Sequence, residues 1–344
     1  MRAVHVTQLG SPEEAISVVD VETPKPGPGE VRLRVEACAL NRLDVFARLG
    51  HPDEEDSFPK RTGGDVSGIV DAVGDDVTDW ESGDRAVVYP IVSCSECEHC
   101  LMGEQTMCSN YEIIGESRPG GLAEFLVVPA EILDPIPETI DFVTAAAYPV
   151  AFTTAWRMIV TEGALRPGES ALILGASGGV GNAAARIAAL LGATVYVTTS
   201  TDEKADALSD IADEVIDYTT VSFDEAIADL TDGRGVDLVA DHVGQETWQT
   251  SIDSLATGGR MVICGATSGA NPDIDIRSVY QRHRKILGAP MGNRREFRTV
   301  SRLVGDGDLE PCVDRVLPLD RVHEGHRALE TRNVVGKVVI RPGE

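Results

Sequence analysis

Over roughly the first 145 residues, apolar positions alternate with polar ones or fall in short continuous runs. "AVHVTQLG", "EVRLRVEACAL", "VSGIVDAVG", "DRAVVYP" and "AEFLVVPA" are each bounded by proline, glycine or acidic residues. A period of two lays one face of each strand on a core, and the breakers turn the chain, so this stretch predicts an all-β, barrel-like domain. The segment 143–160, "VTAAAYPVAFTTAWRMIV", reads as helix except where Pro149 interrupts it.

From about residue 170 the rhythm changes to strand and helix in alternation. "SALILGA", "TVYVTTS", "DEVIDY", "VDLVADHVG", "RMVICGA" and "KILGAP" read as strands. The helix-like "GVGNAAARIAALLG" follows the first, and helices are expected near 203–210, 223–231 and 246–256. Such alternation predicts an α/β, doubly wound parallel sheet with helices on both faces. After a further helix near 294–305, "CVDRVLPLD" and "GKVVIRP" read as strands that rejoin the first domain. The expected organisation is therefore 1–147, 148–290 and a returning segment 291–344.

Composition narrows the class of molecule. A chain of 344 residues exceeds one ordinary hydrophobic core, and 42% apolar residues with 34 glycines suit a globular α/β protein. No signal-peptide pattern and no apolar run of about 18 residues is present, which predicts a cytoplasmic protein off the membrane. Fifty-six acidic against 30 basic residues give a net charge of −26, spread along the whole chain. That surface would repel nucleic acid and anionic lipid, and it implies a halophilic source in which salt screens the repulsion.

"GASGGVG", 175–181, stands between an apolar strand and a helix, the setting of a dinucleotide-binding loop. Glycines let backbone approach a diphosphate, and the free amides at a helix N-terminus bind its charge. Ala176 stands where a strict GxGxxG has its first glycine, with Ser177, Gly178, Gly179, Val180 and Gly181 following. An acidic residue at the end of the second strand would select NADH through the adenosine ribose. Ser200 stands there instead, with Lys204 beyond it, which favours NADPH; Asp202 and Glu203 keep NADH possible. Tyr218, ending the third strand, is a further candidate phosphate contact, with core packing as its alternative.

The spacing CxxCxxCx7C places Cys94, Cys97, Cys100 and Cys108 in one short loop. Four soft thiolates suit tetrahedral zinc, and a disulfide knot is disfavoured in a cytoplasmic chain. Four protein ligands leave no open position for water or substrate, so one structural zinc is expected. Cys38, Cys264 and Cys312 lie in apolar strand text and read as core.

In order, the barrel-like domain, the four-cysteine loop and the doubly wound domain resemble the medium-chain dehydrogenase/reductase superfamily, together with "GPGEVRLRVEACALNRLD", "GGDVSGIVDAVG", "GDRAVV" and "GKVVIRP". The resemblance covers essentially the whole chain. It implies a GroES-like catalytic domain, a Rossmann domain and a homodimer or homotetramer. Zinc alcohol dehydrogenases of this superfamily hold a catalytic zinc through CHxD, GHE and a third ligand. Here the corresponding text is Asn41-Arg42-Leu43-Asp44, Gly63-Gly64-Asp65 and "AAYPVAFTTAW", so all three ligand positions fail. The quinone oxidoreductase branch has NxxD in place of the first motif, matched by Asn41 and Asp44, and Ala176, Ser200, Lys204 and Tyr218 match its NADPH positions. Members of that branch usually lack the four-cysteine loop, and tyrosines they often carry beside the nicotinamide are Phe46 and His51 here.

Stabilising an alkoxide calls for a metal that lowers a pKa by many units. Reducing a conjugated carbonyl is easier, because the charge collects on an enolate that one or two fixed donors can stabilise, each worth roughly 3–4 kcal/mol. Asn41 is the candidate donor. His51 could protonate the enolate carbon or be a surface histidine; Asp44 could orient the Asn41 loop or the nicotinamide ribose, or be structural. Arg42 and Arg48 are expected to face solvent, where either could attract an anionic substrate. Met291, in "GAPMGN", lies where relatives cover the cofactor, with core packing as its rival. The leading reading is an NADPH-dependent reductase of a small quinone, enone or enoyl-type substrate. An alcohol dehydrogenase with a metal site rebuilt from residues such as Asp44, His51 and Asp65, and a nucleotide-binding module with little catalysis, stand as alternatives.

Overall fold

In the computed structural model, which describes residues 1–50 and 57–344, the ten-residue strand Glu30–Ala39 is the spine of a seven-stranded sheet. Val31, Leu33, Val35 and Ala37 are buried on alternate positions, as the period-two text requires, and Cys38 and Ala39 then continue the burial without a break. The strand pairs antiparallel with Asp65–Val73 on one side; Phe125–Pro129 also pairs with its first half. Its last residues pair antiparallel with Lys337–Arg341, which lies parallel to Val313–Pro318. The C-terminal text therefore completes the sheet begun near residue 30. Met1–Val150 and Asn293–Glu344 make one compact unit, and Ala151–Gly292 the other.

Helix Arg294–Gly305 belongs to the first unit. Asn293 caps it by accepting from the Glu296 N–H at 2.9 Å, while the Glu296 carboxylate accepts from the Asn293 N–H at 2.6 Å. Phe297, Val300 and Val304, spaced three and four apart, are buried. The Phe297 ring lies 5.3 Å from that of Tyr89 and 6.0 Å from that of Tyr148.

The second unit is a six-stranded, wholly parallel sheet. Edge to edge its strands are Glu214–Asp217, Thr194–Thr199, Ser170–Ile173, Val236–Asp241, Leu255–Ile263 and Lys285–Gly288. Numbered in chain order this is 3-2-1-4-5-6, the doubly wound Rossmann arrangement, with its switch point between Ser170–Ile173 and Val236–Asp241. Leu172, Val239 and Met261 from the sheet pack with Phe223, Ile227 and Ile252 from its helices. Pro149 ends the helix begun at Phe142 and starts the next, Pro149–Trp156, where its missing N–H costs nothing. The helix expected over 246–256 is shorter, Trp248–Asp253, because Leu255 already pairs with Val236 as strand. Among the described residues, no helix is long and apolar enough to cross a membrane.

Phe297→Ala removes a fully buried ring from between two tyrosines and should cost about 3–5 kcal/mol in urea unfolding. A loss under about 1 kcal/mol would mean that the helix is not held by this contact.

Candidate active site and metal centre

Strand register assembles the first cluster. Ala39 pairs with Asp65 on one side and with Val339 on the other, and the Leu40 N–H donates to the Val338 carbonyl. Two residues on from Ala39 and two back from Val339, Asn41 and Lys337 come opposite one another beside Asp65. The Lys337 Nζ donates to Asn41 Oδ1 at 2.5 Å and to Asp65 Oδ2 at 2.8 Å, and Asn41 Nδ2 donates to the same Asp65 oxygen at 2.8 Å. The other Asp65 oxygen accepts from the Val150 N–H at 2.7 Å. The side chains of Lys337 and Asp65 are 3% and 0% exposed, so this is a fully buried ion pair. Asp65 was expected only as the last residue of the GGD motif and a candidate ligand of a rebuilt metal site; Lys337 was not singled out, because "GKVVIRP" carries only a strand signal and the lysine's partner is 272 positions away.

Asn41 is also the residue from which helix Arg42–Leu49 starts. Asp44, three residues on, accepts from the Asn41 N–H and from the Gly63 N–H, both at 2.7 Å, one on each oxygen. Both carboxylate oxygens thus hold backbone, tying the NRLD turn to the GGD turn. Burial pushes the Asp44 carboxyl from 3.8 up to about 6; the two N–H groups and the Lys337 charge pull it back, and Asp65 adds to the rise.

The neighbouring glycines are closely confined. A Cβ at Gly64, where the zinc motif has histidine, would come 2.7 Å from the Ile114 carbonyl oxygen, and one at Gly63 would come 2.6 Å from Cys38 Sγ. A ligand side chain at 64 therefore requires a shift of backbone.

Arg48 and Arg42 do not face solvent. Arg48 is completely buried, donating to the Gly10 carbonyl and pairing with Glu330 at 2.5 Å, and half-buried Arg42 donates to the Leu329 carbonyl at 2.8 Å. Both satisfy the carbonyls and carboxylate of packed elements, which no pattern of a nearby helix reveals. His51 lies outside the described residues.

The four cysteines converge. Cys97 starts the short helix Glu98–Leu101, Gly103 turns back at φ +84°, and the 3-10 turn Gln105–Met107 returns Cys108 to the group. All four sulfurs lie within 4.8 Å of one another. Cys94 Sγ is 3.9 Å from Cys100 Sγ and 3.5 Å from Cys108 Sγ. Zinc–sulfur bonds of about 2.3 Å in a tetrahedron put sulfurs about 3.8 Å apart, so the set fits a zinc ion with no ligand position left over. The backbone N–H groups of Glu96 and Cys97, ahead of the neighbouring thiols, pull Cys94 down to about 6, whereas, against the Cys100 N–H, desolvation and the neighbouring thiols push Cys97 up to about 11. Among the described residues, this is the one place where three or more such ligand atoms meet.

In the second unit the dinucleotide candidates lie at the carboxyl edge of the parallel sheet. Leu174 to Gly178 form the turn from strand Ser170–Ile173 into the twelve-residue helix Gly179–Leu190, which contains Gly179, Val180 and Gly181. A Cβ at Gly181 would come 2.5 Å from the Gly175 carbonyl oxygen, so the helix can start this close to the strand only with glycine there. The Gly179, Val180 and Gly181 amides belong to the first turn, whose N–H groups have no partner within the helix. Ser200 follows strand Thr194–Thr199, and Thr201 caps the next helix by accepting from the Lys204 N–H at 3.4 Å.

Tyr218 is 42% exposed, so core packing does not account for it, and its N–H donates to the Thr199 carbonyl beside Ser200. Asp217, the last residue of the third strand, is engaged by the Thr219 N–H and hydroxyl at 2.9 and 2.7 Å. Met291 is half-buried and takes a left-handed conformation, φ +47°, unusual for a side chain without local polar groups.

Two measurements test this geometry. Because folding raises the Asp44 pKa, the folded state binds its proton more tightly, and the stability this adds is lost as pH rises through about 6. The stability of the wild type relative to Asp44→Asn should therefore fall by up to about 3 kcal/mol between pH 4 and 7 in urea unfolding; a flat difference would mean an ordinary carboxylate. Cys97→Ser should drop the zinc content from one per chain to below about half and lower thermal stability, since structural zinc contributes on the order of 10 kcal/mol. Retained zinc and melting temperature would remove that role.

Comparison with known proteins identifies the family. Residues 27–138 match the alcohol dehydrogenase GroES-like domain, and residues 179–306 match the zinc-binding dehydrogenase family. The chain is 30% identical to the acryloyl-coenzyme A reductase of Sulfurisphaera tokodaii over 96% of its own length and 98% of that protein. It is 27% identical to the quinone oxidoreductase of Rattus norvegicus, over 99% and 97% respectively. The crystal structure of an NAD-dependent alcohol dehydrogenase matches at a TM-score of 0.95 and 42% identity over all of both chains. With the 3-2-1-4-5-6 sheet, the glycine turn and the barrel-like first unit, these matches show that the chain belongs to the medium-chain dehydrogenase/reductase superfamily and is an NAD(P)H-dependent oxidoreductase.

Proposed function

We propose that this chain reduces a small conjugated carbonyl, a quinone, enone or enoyl thioester, with NADPH and without a catalytic metal. The observation that carries the proposal is the Asn41–Asp65–Lys337 cluster. It stands where two of the metal-ligand motifs of the resembled alcohol dehydrogenases fall, and the Gly64 position is closed to a ligand side chain by the Ile114 carbonyl.

A bound reduced nicotinamide supplies the hydride. When it adds to the substrate's β-carbon, the carbon–carbon π pair moves toward the carbonyl and negative charge develops on the carbonyl oxygen. One Asn41 Nδ2 hydrogen is committed to Asp65, and the amide's second hydrogen is the donor to that oxygen. The α-carbon then takes a proton from His51 or from water, completing the two-electron reduction. Asp44 holds the donor's backbone and does not act as a base, since both its oxygens already accept N–H groups. The names of the acryloyl-coenzyme A reductase and the quinone oxidoreductase support the substrate class.

NADPH is supported by Ser200, Lys204 and Tyr218 around the end of the second strand, and by the engagement of Asp217 in its own turn. The glycine turn, from Ala176 and Ser177 through Gly181, would hold the diphosphate, and Met291 would cover the nicotinamide side. The cysteine site would hold one zinc that orders its loop and takes no part in turnover. A homodimer or homotetramer is the assembly that the superfamily favours.

The 42% identity to an NAD-dependent alcohol dehydrogenase favours a second reading, alcohol–aldehyde interconversion with NAD at a rebuilt metal site. Protein prepared in high salt, as the −26 charge advises, separates the two. The proposal expects one zinc per chain, oxidation of NADPH by quinones, enones or enoyl thioesters, and no turnover of simple alcohols. Two metals per chain, with NAD-dependent alcohol oxidation and inert conjugated carbonyls, would overturn it.

A further inference from the structure

The chain has five lysines, and one of them, Lys337, is buried with its Nζ 2.8 Å from Asp65 Oδ2. Replacing a buried ion pair by apolar residues of the same shape is often neutral or stabilising, so stability alone does not account for it. Its geometry toward Asn41 does.

A lysine ammonium can only donate and a carboxylate can only accept. Lys337 Nζ stands 2.5 Å from one end of the Asn41 amide, and Asp65 Oδ2 stands 2.8 Å from the other. The two neighbours therefore admit one orientation of the amide: Oδ1 toward the ammonium, Nδ2 toward the carboxylate. The reverse flip would set N–H against ammonium and carbonyl against carboxylate. A positive charge on Oδ1 also draws electron density through the amide and strengthens the remaining N–H as a donor, an effect that grows in a site shielded from water.

We infer that Lys337 is a positioning residue for hydride transfer: it locks the orientation of the Asn41 amide and polarises it, supplying from a fixed side chain the positive charge that a catalytic zinc supplies in the resembled alcohol dehydrogenases. The inference rests on the reading above that Asn41 donates to the developing enolate oxygen. The charged and titratable groups around the ammonium are Asp65 from strand Asp65–Val73, Asp44 from helix Arg42–Leu49, and the buried Cys38 thiol from strand Glu30–Ala39.

The test compares Lys337→Met, Lys337→Arg, Asn41→Ala and the double variant Asn41→Ala/Lys337→Met. It reads kcat and KM for a reducible quinone or enone, NADPH affinity by fluorescence, and thermal unfolding. In folded protein, Lys337→Met should lower kcat by about 10²-fold, the scale of a lost oxyanion donor, with NADPH affinity unchanged. Lys337→Arg, which keeps a charged donor, should recover most of that loss. In the Asn41→Ala background, Lys337→Met should change kcat less than about threefold, because its route of action is gone.

Should the lone Asp65 charge keep Lys337→Met from folding, Lys337→Met/Asp65→Asn presents the same question with no net charge buried. Full turnover in Asn41→Ala would sink the donor reading and this inference with it. An impaired Asn41→Ala beside a fully active Lys337→Met, or losses that simply multiply in the double variant, would sink this inference alone.

Discussion

A lysine and an aspartate brought out of water in the middle of a β-sheet set the terms for the first unit. Desolvating each ion costs several kcal/mol, and only near-ideal pairing with every remaining polar atom satisfied offsets it. Here Asp65 accepts from Lys337, Asn41 and the Val150 N–H, so both carboxylate oxygens are engaged. That condition constrains the sheet. Strands Glu30–Ala39, Asp65–Val73 and Lys337–Arg341 must keep the pairs Ala39–Asp65 and Ala39–Val339, since a slip of one residue would turn the charged side chains to the opposite face.

Around that pair, backbone is held by side chains and side chains are kept out by backbone. Asp44 ties two turns together with one oxygen each, at the cost of a carboxyl pushed up to about 6. Gly63, Gly64 and Gly115 bring backbone so close that a Cβ on any of them would lie 2.6 to 2.8 Å from a neighbouring atom. Glycine at these three positions is a packing requirement.

The two remaining constellations are local constructions. The cysteine loop folds its four sulfurs together within fifteen residues, 94–108, using one short helix, one left-handed glycine and one 3-10 turn. In the second unit, the glycine turn and the ends of the neighbouring strands lie on one edge of a parallel sheet, where ligands of open α/β sheets bind.

What the sequence determined by itself follows from this difference in range. Period-two runs, the strand–helix alternation, the CxxCxxCx7C spacing and "GASGGVG" are local signals, and the fold class, the doubly wound domain and the converging cysteines could be read from them. Asn41 and Asp44 were legible only through their likeness to a motif. Burial of Arg48, exposure of Tyr218 and the meeting of Lys337 with Asn41 and Asp65 belong to the tertiary structure. They join residues up to 296 positions apart through strand register, and register depends on every pair in the sheet at once, so no local pattern in "GKVVIRP" could record it.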